Sequence, residues 1–146
     1  MGLDGILKGL DLATSGLAAE RRRMNVIMEN IANANVTRID PNDPRSGPYV
    51  RRRVYFHQVL DREMDRNSGR GVLAGPAVED FDGEFPKVFD PGHADADEDG
   101  FVRRSNVNLV YEMLDLASAK RSFEANLSTF KTWKDMAAKS IELMRT

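Results

Sequence analysis

The chain of 146 residues contains no cysteine, which excludes disulfides and thiolate-held metals and leaves the redox compartment open. Its only two histidines, His57 and His93, have no companion at metal-ligand spacing, so imidazole-built sites are not expected. The formal net charge is -2; no bulk field draws nucleic acid or an anionic membrane. No stretch approaches the roughly 20 consecutive apolar residues that span a bilayer, so direct membrane insertion is not expected. The first residues lack a basic leader, an unbroken apolar run and a small-residue cleavage site, which predicts a protein without a cleaved signal peptide. Proline and glycine are both absent after Gly100.

What is there is an apolar heptad at each end. Leu3, Leu7, Leu10, Leu17, Met24, Met28 and Ile31 follow a 4,3 spacing that passes through Thr14 and Arg21. Leu109, Met113, Leu116, Phe123, Leu127, Phe130, Ala137, Ile141 and Met144 do the same through Lys120 and Lys134. This periodicity predicts two long helices, each with one sticky seam. The first spans about 3–34, with a weak point at Gly16 and a stop in the Asn33-Ala34-Asn35 stretch, where asparagine tolerates left-handed conformations. The second begins near Asn106 or Asn108, either of which can cap it, and places Glu112 where a negative charge suits the helix dipole. The charged residues inside the ladders, Arg21, Lys120 and Lys134, are read as setting register, as polar residues do at coiled-coil core positions.

Between the ladders the texture is that of short strands. Tyr49-Val50-Arg51-Arg52-Arg53-Val54-Tyr55-Phe56-His57-Gln58-Val59 is rich in β-branched and aromatic residues, and Gly69, Gly71, Gly75-Pro76 and Gly83 punctuate the segment after it. From Glu79 to Gly100 there are nine acidic residues and one basic one, Lys87, which makes that stretch locally anionic. The expected fold is therefore α+β and mainly helical: residues 1–35 and 106–146 pair as an antiparallel coiled coil, and 36–105 form an inserted linker and small β-rich head. One seam buries too little apolar surface to offset the ordering of about 70 helical residues at ~1–2 kcal/mol each. The seams are expected to order when subunits pack together.

No constellation in the chain supports catalysis, and no cofactor or metal is expected. Asp95-Ala96-Asp97-Glu98-Asp99-Gly100 opens like a calcium loop, but Asn106 stands where a bidentate glutamate is needed and Pro91-Gly92 replaces the entering helix. A calcium-responsive interaction protein is the rival reading from another functional class. Gly69-Arg70-Gly71-Val72-Leu73-Ala74 lacks the strand and helix that a phosphate-binding turn requires. Ser128-Thr129-Phe130-Lys131 has the spacing of a serine nucleophile and lysine base without companion motifs. The triplets Arg21-Arg22-Arg23 and Arg51-Arg52-Arg53 spread their charge around a helix and across a strand, a poor nucleic-acid footprint.

Asn25-Val26-Ile27-Met28-Glu29-Asn30-Ile31-Ala32-Asn33-Ala34-Asn35 resembles the N-terminal signature of the flagellar axial proteins, the rods and hooks. Further blocks narrow the resemblance to the proximal-rod branch: Val36-Thr37-Arg38 followed by Gly47-Pro48-Tyr49-Val50-Arg51-Arg52, then Asp90-Pro91-Gly92-His93-Ala94-Asp95-Ala96, then Ser105-Asn106-Val107-Asn108-Leu109-Val110-Tyr111-Glu112-Met113-Leu114-Asp115-Leu116, and Arg121-Ser122-Phe123-Glu124-Ala125-Asn126. These occur in the family's order over nearly the whole chain; the linker 39–46 is longer than the turn the family has there. The resemblance implies a non-enzymatic subunit of the basal-body rod in the periplasmic space, exported uncleaved through the flagellar type III apparatus. It further implies homo- and hetero-oligomeric packing with other rod and basal-body proteins, and a part in transmitting torque.

Overall fold

The computed structural model describes residues 3–40, 42–43, 46–60 and 69–144, with backbone alone at 3, 4, 60, 69, 70 and 144. Helix α1 runs Leu3–Ala32, strand β1 Arg52–Leu60, strand β2 Gly69–Glu79, strand β3 Lys87–Phe89, strand β4 Phe101–Arg103 and helix α2 Leu109–Met144. The fold is a mainly helical α+β one. β1 pairs with β2, and β3 pairs with β4 antiparallel, Val88 opposite Val102. Pro41, Pro44 and Met144's side chain lie outside the described residues, as does the side chain of Leu3. Among the described residues, no helix is long and apolar enough to cross a membrane.

The chain divides into two compact units. One is made of residues 1–24, 54–76 and 117–146, the other of 25–53 and 77–116. In the first unit α1 is unbroken at Gly16, because the missing side chain makes room: a Cβ there would stand 3.0 Å from Asn126. Gly9 likewise admits the Trp133 ring, 2.5 Å from where its Cβ would be. β2 is fastened to α1 by polar contacts to its backbone. Ser15 Oγ accepts from the Val72 amide at 3.1 Å, and Arg22 Nε donates to the Gly75 carbonyl at 2.9 Å. Covering backbone groups of a strand in this way blunts an otherwise open edge.

Gly71 sits at the closest approach, with φ of +147° and Ser15 Oγ in the space a Cβ would take. Gly71→Ala therefore combines backbone strain with a clash. The expected loss is about 1–3 kcal/mol of unfolding free energy, measurable by urea titration of the whole chain.

In the second unit the ends of both helices are set by asparagines, by different means. α1 stops where Asn33 Nδ2 turns back onto the Glu29 carbonyl at 2.8 Å, an acceptor already taken by the Asn33 amide at 3.0 Å. Among the described residues no non-glycine has a positive φ, so the stop owes nothing to a left-handed asparagine. α2 is capped by Asn108, whose Oδ1 accepts from the amides of Val110 and Tyr111 at 3.1 and 3.3 Å. Both bonds satisfy first-turn amides that have no partner within the helix. Asn106, the other candidate cap, serves the sheet instead. Phe89 and Phe101 meet edge to face across β3 and β4 at 5.3 Å.

Burial shows which helix faces are covered. In α1 the half-buried column Leu10, Leu17, Met24 and Ile31 is accompanied by Ile6, Ala13, Glu20 and Ile27, one residue before the second column read from the sequence. In α2, Leu116, Phe123, Phe130 and Ala137 are accompanied by Glu112, Ala119, Asn126 and Trp133. Leu127 is half-buried. The columns of Leu7, Arg21 and Met28, and of Met113, Lys120, Lys134 and Ile141, are exposed, as is Leu109 at the start of the Leu116 column. Small residues mark the covered faces: Ala13 and Ala119 are buried, and Gly9 and Gly16 make room for Trp133 and Asn126, while the bulkier second column is left outward.

A buried polar junction as the candidate functional site

The second unit is organised around charged and amide side chains. Glu112 and Asn30 are each 1% exposed. Asn30 arrives from the last turns of α1, Glu112 from the first turn of α2, and Tyr49 and Arg51 from the segment entering β1. Arg51 donates Nε to Glu112 at 2.5 Å and Nη1 to Asp80 at 3.2 Å, and its Nη2 lies 3.5 Å from Asp115. Arg53 Nε reaches the same Asp80 oxygen at 2.6 Å. Burial works against the Arg51 charge, but the bonds and charges of Glu112 and Asp80 outweigh it, so its proton is held above the ordinary guanidinium range.

The two asparagines act as substitute peptide groups. Asn30 Nδ2 donates to the Arg52 carbonyl at 2.9 Å and to Glu112 Oε2 at 3.1 Å. Its Oδ1 accepts from the Arg52 amide at 2.9 Å and from the Tyr49 hydroxyl at 3.1 Å. Both donor hydrogens and both acceptor positions of that amide are used. Asn106 Oδ1 accepts from the Arg51 amide at 2.7 Å while its Nδ2 donates to the Asp80 carbonyl at 2.8 Å, and the Asp80 amide donates to Arg51 O at 2.7 Å. Asn106 thus continues the β1 and β2 pairing beyond the strands at Arg51 and Asp80, while Asn30 takes the Arg52 backbone groups on the other edge of β1. Burial, partly countered by Arg52, raises the Tyr49 phenol above its ordinary value, and the Arg52 guanidinium lies over its ring at 5.8 Å.

An open cleft of about 570 Å³ adjoins this junction, lined by Arg51, Asp80, Asp82, Asn106, Tyr111 and Asp115 among others. Its chemistry is that of a clamp. Each Glu112 oxygen has a donor, Asp80 holds two arginines, and no serine, threonine or cysteine nucleophile stands against a base there. Nothing in it resembles a general acid and base pair with room between them.

Asn30, Glu112 and Asp115, singled out in the sequence by family resemblance, meet here around one arginine. Ile31 is half-buried and Met113 exposed on the same helices; Ala32, Ala34 and Asn35 lie at the exit of α1. Glu124, Ala125 and Asn126 lie in the other unit, Glu124 3.9 Å from Lys120 and Asn126 against Gly16. Tyr49 and Arg51 belong to a block that carries the family resemblance and Asn106 is a candidate cap, but the sequence assigns none of them to a site, and Asp80 is one acid of an anionic stretch. The inward turn of Arg51 depends on acids 29 and 61 residues away.

The calcium reading finds no support in the loop it named. Asp95 is bound by Arg38 and, at 2.8 Å, by the Thr37 hydroxyl. Asp97 Oδ1 accepts from the amides of Asp99 and Phe101 at 3.2 and 2.7 Å. His93 is tied locally, accepting the Asp95 amide at 3.0 Å. Among the described residues no group of three or more histidine, aspartate or glutamate side chains is placed to hold a metal.

Both helical ends of the chain match known protein families. Residues 10–38 match the family described as flagella basal body rod protein, and residues 98–143 match flagellar basal body rod FlgEFG protein C-terminal. The flagellar basal-body rod protein FlgC of Bacillus subtilis is 36% identical over 143 residues, covering 92% of this chain and 95% of that one. FlgC of Agrobacterium fabrum is 34% identical over 143 residues, covering 98% of each, and FlgC of Salmonella typhimurium is 34% identical over 140 residues, covering 94% and 97%. The first family match ends just after the Asn30 turn, and the second contains Asn106, Glu112 and Asp115.

Proposed function

Because this chain belongs to the FlgC family of flagellar basal-body rod proteins, we propose that its two long helices build the wall of the proximal rod and carry torque along it. It is a structural subunit of the basal-body rod, at work in flagellar motility, and not an enzyme. The observation that carries the assembly reading is the exposed apolar column on both helices: Leu7 and Met28 on α1, and Met113 and Ile141 on α2, each between 49% and 55% exposed. A solvated protein gains nothing from such a stripe, whereas copies stacked around an axis bury it in every contact.

The helices pair antiparallel in this reading. Gly9 facing Trp133 and Gly16 facing Asn126 support that: seven residues forward on α1 correspond to seven residues back on α2. The seam residues read from the sequence then divide the work. Leu10, Leu17, Met24, Ile31, Leu116, Phe123, Leu127 and Phe130 pack within the subunit, and the outward column packs between subunits. The β strands carry the subunit-specific surface. Partners are further copies and the other rod and basal-body proteins, reached after export through the type III apparatus.

The test is a motile bacterium whose own gene for this chain is deleted. Resupplying a tagged chain should restore swimming, and basal bodies isolated from those cells should carry the tag in the rod. Unimpaired swimming of the deletion strain, or a tag confined to the soluble fraction of swimming cells, would overturn the reading.

A further inference from the structure

We propose that two copies of this chain dock heterologously, the acidic start of α2 in one copy receiving the basic outer column of α2 in the next. The proposal rests on the rod reading and names one contact through which rod subunits meet. A net charge near zero conceals a strong division. The unit containing residues 1–24, 54–76 and 117–146 has thirteen lysines and arginines against nine acids, and the other unit has eight against fourteen. One is thus +4 and the other -6.

Each unit also exposes apolar residues, beside charge that is predominantly of one sign. At the start of α2, Val110, Tyr111 and Leu114 are 66%, 65% and 61% exposed. Beside them stand Asp82 and Asp115, which line the cleft with Tyr111 and Leu114; exposed Glu84 follows Asp82 by two residues in the chain. The arginines of that cleft, Arg51 and Arg53, are held chiefly by Asp80 and Glu112; Arg51 also lies 3.5 Å from Asp115, whose side chain stays 45% exposed. Further along α2, exposed Lys120, Lys134 and Ile141 fall on one heptad column, with half-buried Leu127 between them, and so share one side of the helix. Lys120 and Lys134 are exposed, and the one acid near Lys120, Glu124, is an exposed i,i+4 partner at 3.9 Å that neutralises it weakly.

The charges that interrupt the heptad ladders are therefore all cationic and all on outward columns, Arg21 on α1 included. They are where an apolar contact with an anionic rim would want them. Opposite fields on two different surfaces fix orientation and speed encounter, and forbid the like-to-like pairing of two acidic or two basic patches. A contact between two different surfaces propagates from copy to copy and suits a ring or helix.

The experiment uses the full chain and two charge reversals, Asp82→Lys with Glu84→Lys, and Lys120→Glu with Lys134→Glu. Sedimentation velocity should show self-association of the native chain at low salt that weakens about tenfold or more in half-molar sodium chloride, where the Debye length falls to roughly 4 Å. Each reversed variant, matched to the native chain by circular dichroism, should sediment as a monomer. Their equimolar mixture should associate again, because each then offers the surface the other needs. The proposal is overturned if either variant associates like the native chain, if the mixture stays monomeric, or if the native chain binds another rod protein and never itself. Should it fail in any of these ways while the native chain restores swimming to the deletion strain, this pairing is refuted and the rod assignment stands; failure to restore swimming refutes the assignment itself.

Discussion

Arg51→Met should lower the unfolding free energy of the chain by about 3–5 kcal/mol. Glu112 is 1% exposed and faces Arg51 through its shortest bond. Without the guanidinium its carboxylate keeps only the Asn30 amide at 3.1 Å, too little to replace the hydration lost on burial. The other partners matter less: Asp80 retains Arg53 at 2.6 Å, and Asp115, its side chain 45% exposed, retains water.

The damage should be asymmetric. Glu112→Gln keeps an acceptor for Asn30 and leaves Arg51 with Asp80 and Asp115, so about 1–2 kcal/mol is expected. The double variant Arg51→Met with Glu112→Leu should recover much of the single loss, because an apolar pair of similar volume has no charge to strand. Urea unfolding of the three variants, followed by circular dichroism, gives the cycle. An Arg51→Met chain within 1 kcal/mol of native would show that the junction is not what holds this unit together.

How much of this is legible in the sequence depends on the range of the interaction. Both helices are legible because their signal is periodic and local; their expected ends fall within two or three residues of the observed ones, and Asn108 caps α2 as one of two candidates. The rotation of each helix is not. A heptad gives two apolar columns, and choosing which partner column is covered requires knowing that Ala13 and Ala119 are buried and that Gly9 and Gly16 make room for Trp133 and Asn126. Large side chains dominate a periodicity count, yet small ones mark where helices touch.

The junction is partly legible for a different reason. Asn30, Glu112 and Asp115 stand out by resemblance, without a physical role. In the sequence Glu112 looks like a dipole-compensating residue on an exposed first turn, and only the fold shows it buried against Arg51. That arginine's partners come from distant segments, and no local pattern in Arg51-Arg52-Arg53 distinguishes the inward residue from its neighbours. The acidic stretch shows the same limit. Its composition suggests a cation loop, but Asp95 and Asp97 are consumed by Arg38 and by backbone amides, contacts that composition cannot reveal.

Leu7→Asp combined with Met113→Asp should abolish swimming while leaving the isolated chain folded. Leu7 and Met113 are 55% and 52% exposed, and surface substitutions away from buried features change stability by about 0.5 kcal/mol or less. In an assembled wall the same two positions lose their water. An aspartate there faces apolar neighbours without a partner, at a cost of several kcal/mol per contact, repeated in every copy. The contrast is Ala119→Asp, at a position with no exposure at all, which should unfold the chain outright. Circular dichroism and thermal melting of the purified variants, read beside a swimming assay in the deletion strain, separate the two behaviours. Normal swimming by the doubly substituted chain would mean that the outward column meets nothing, and the apolar stripe would then need another explanation.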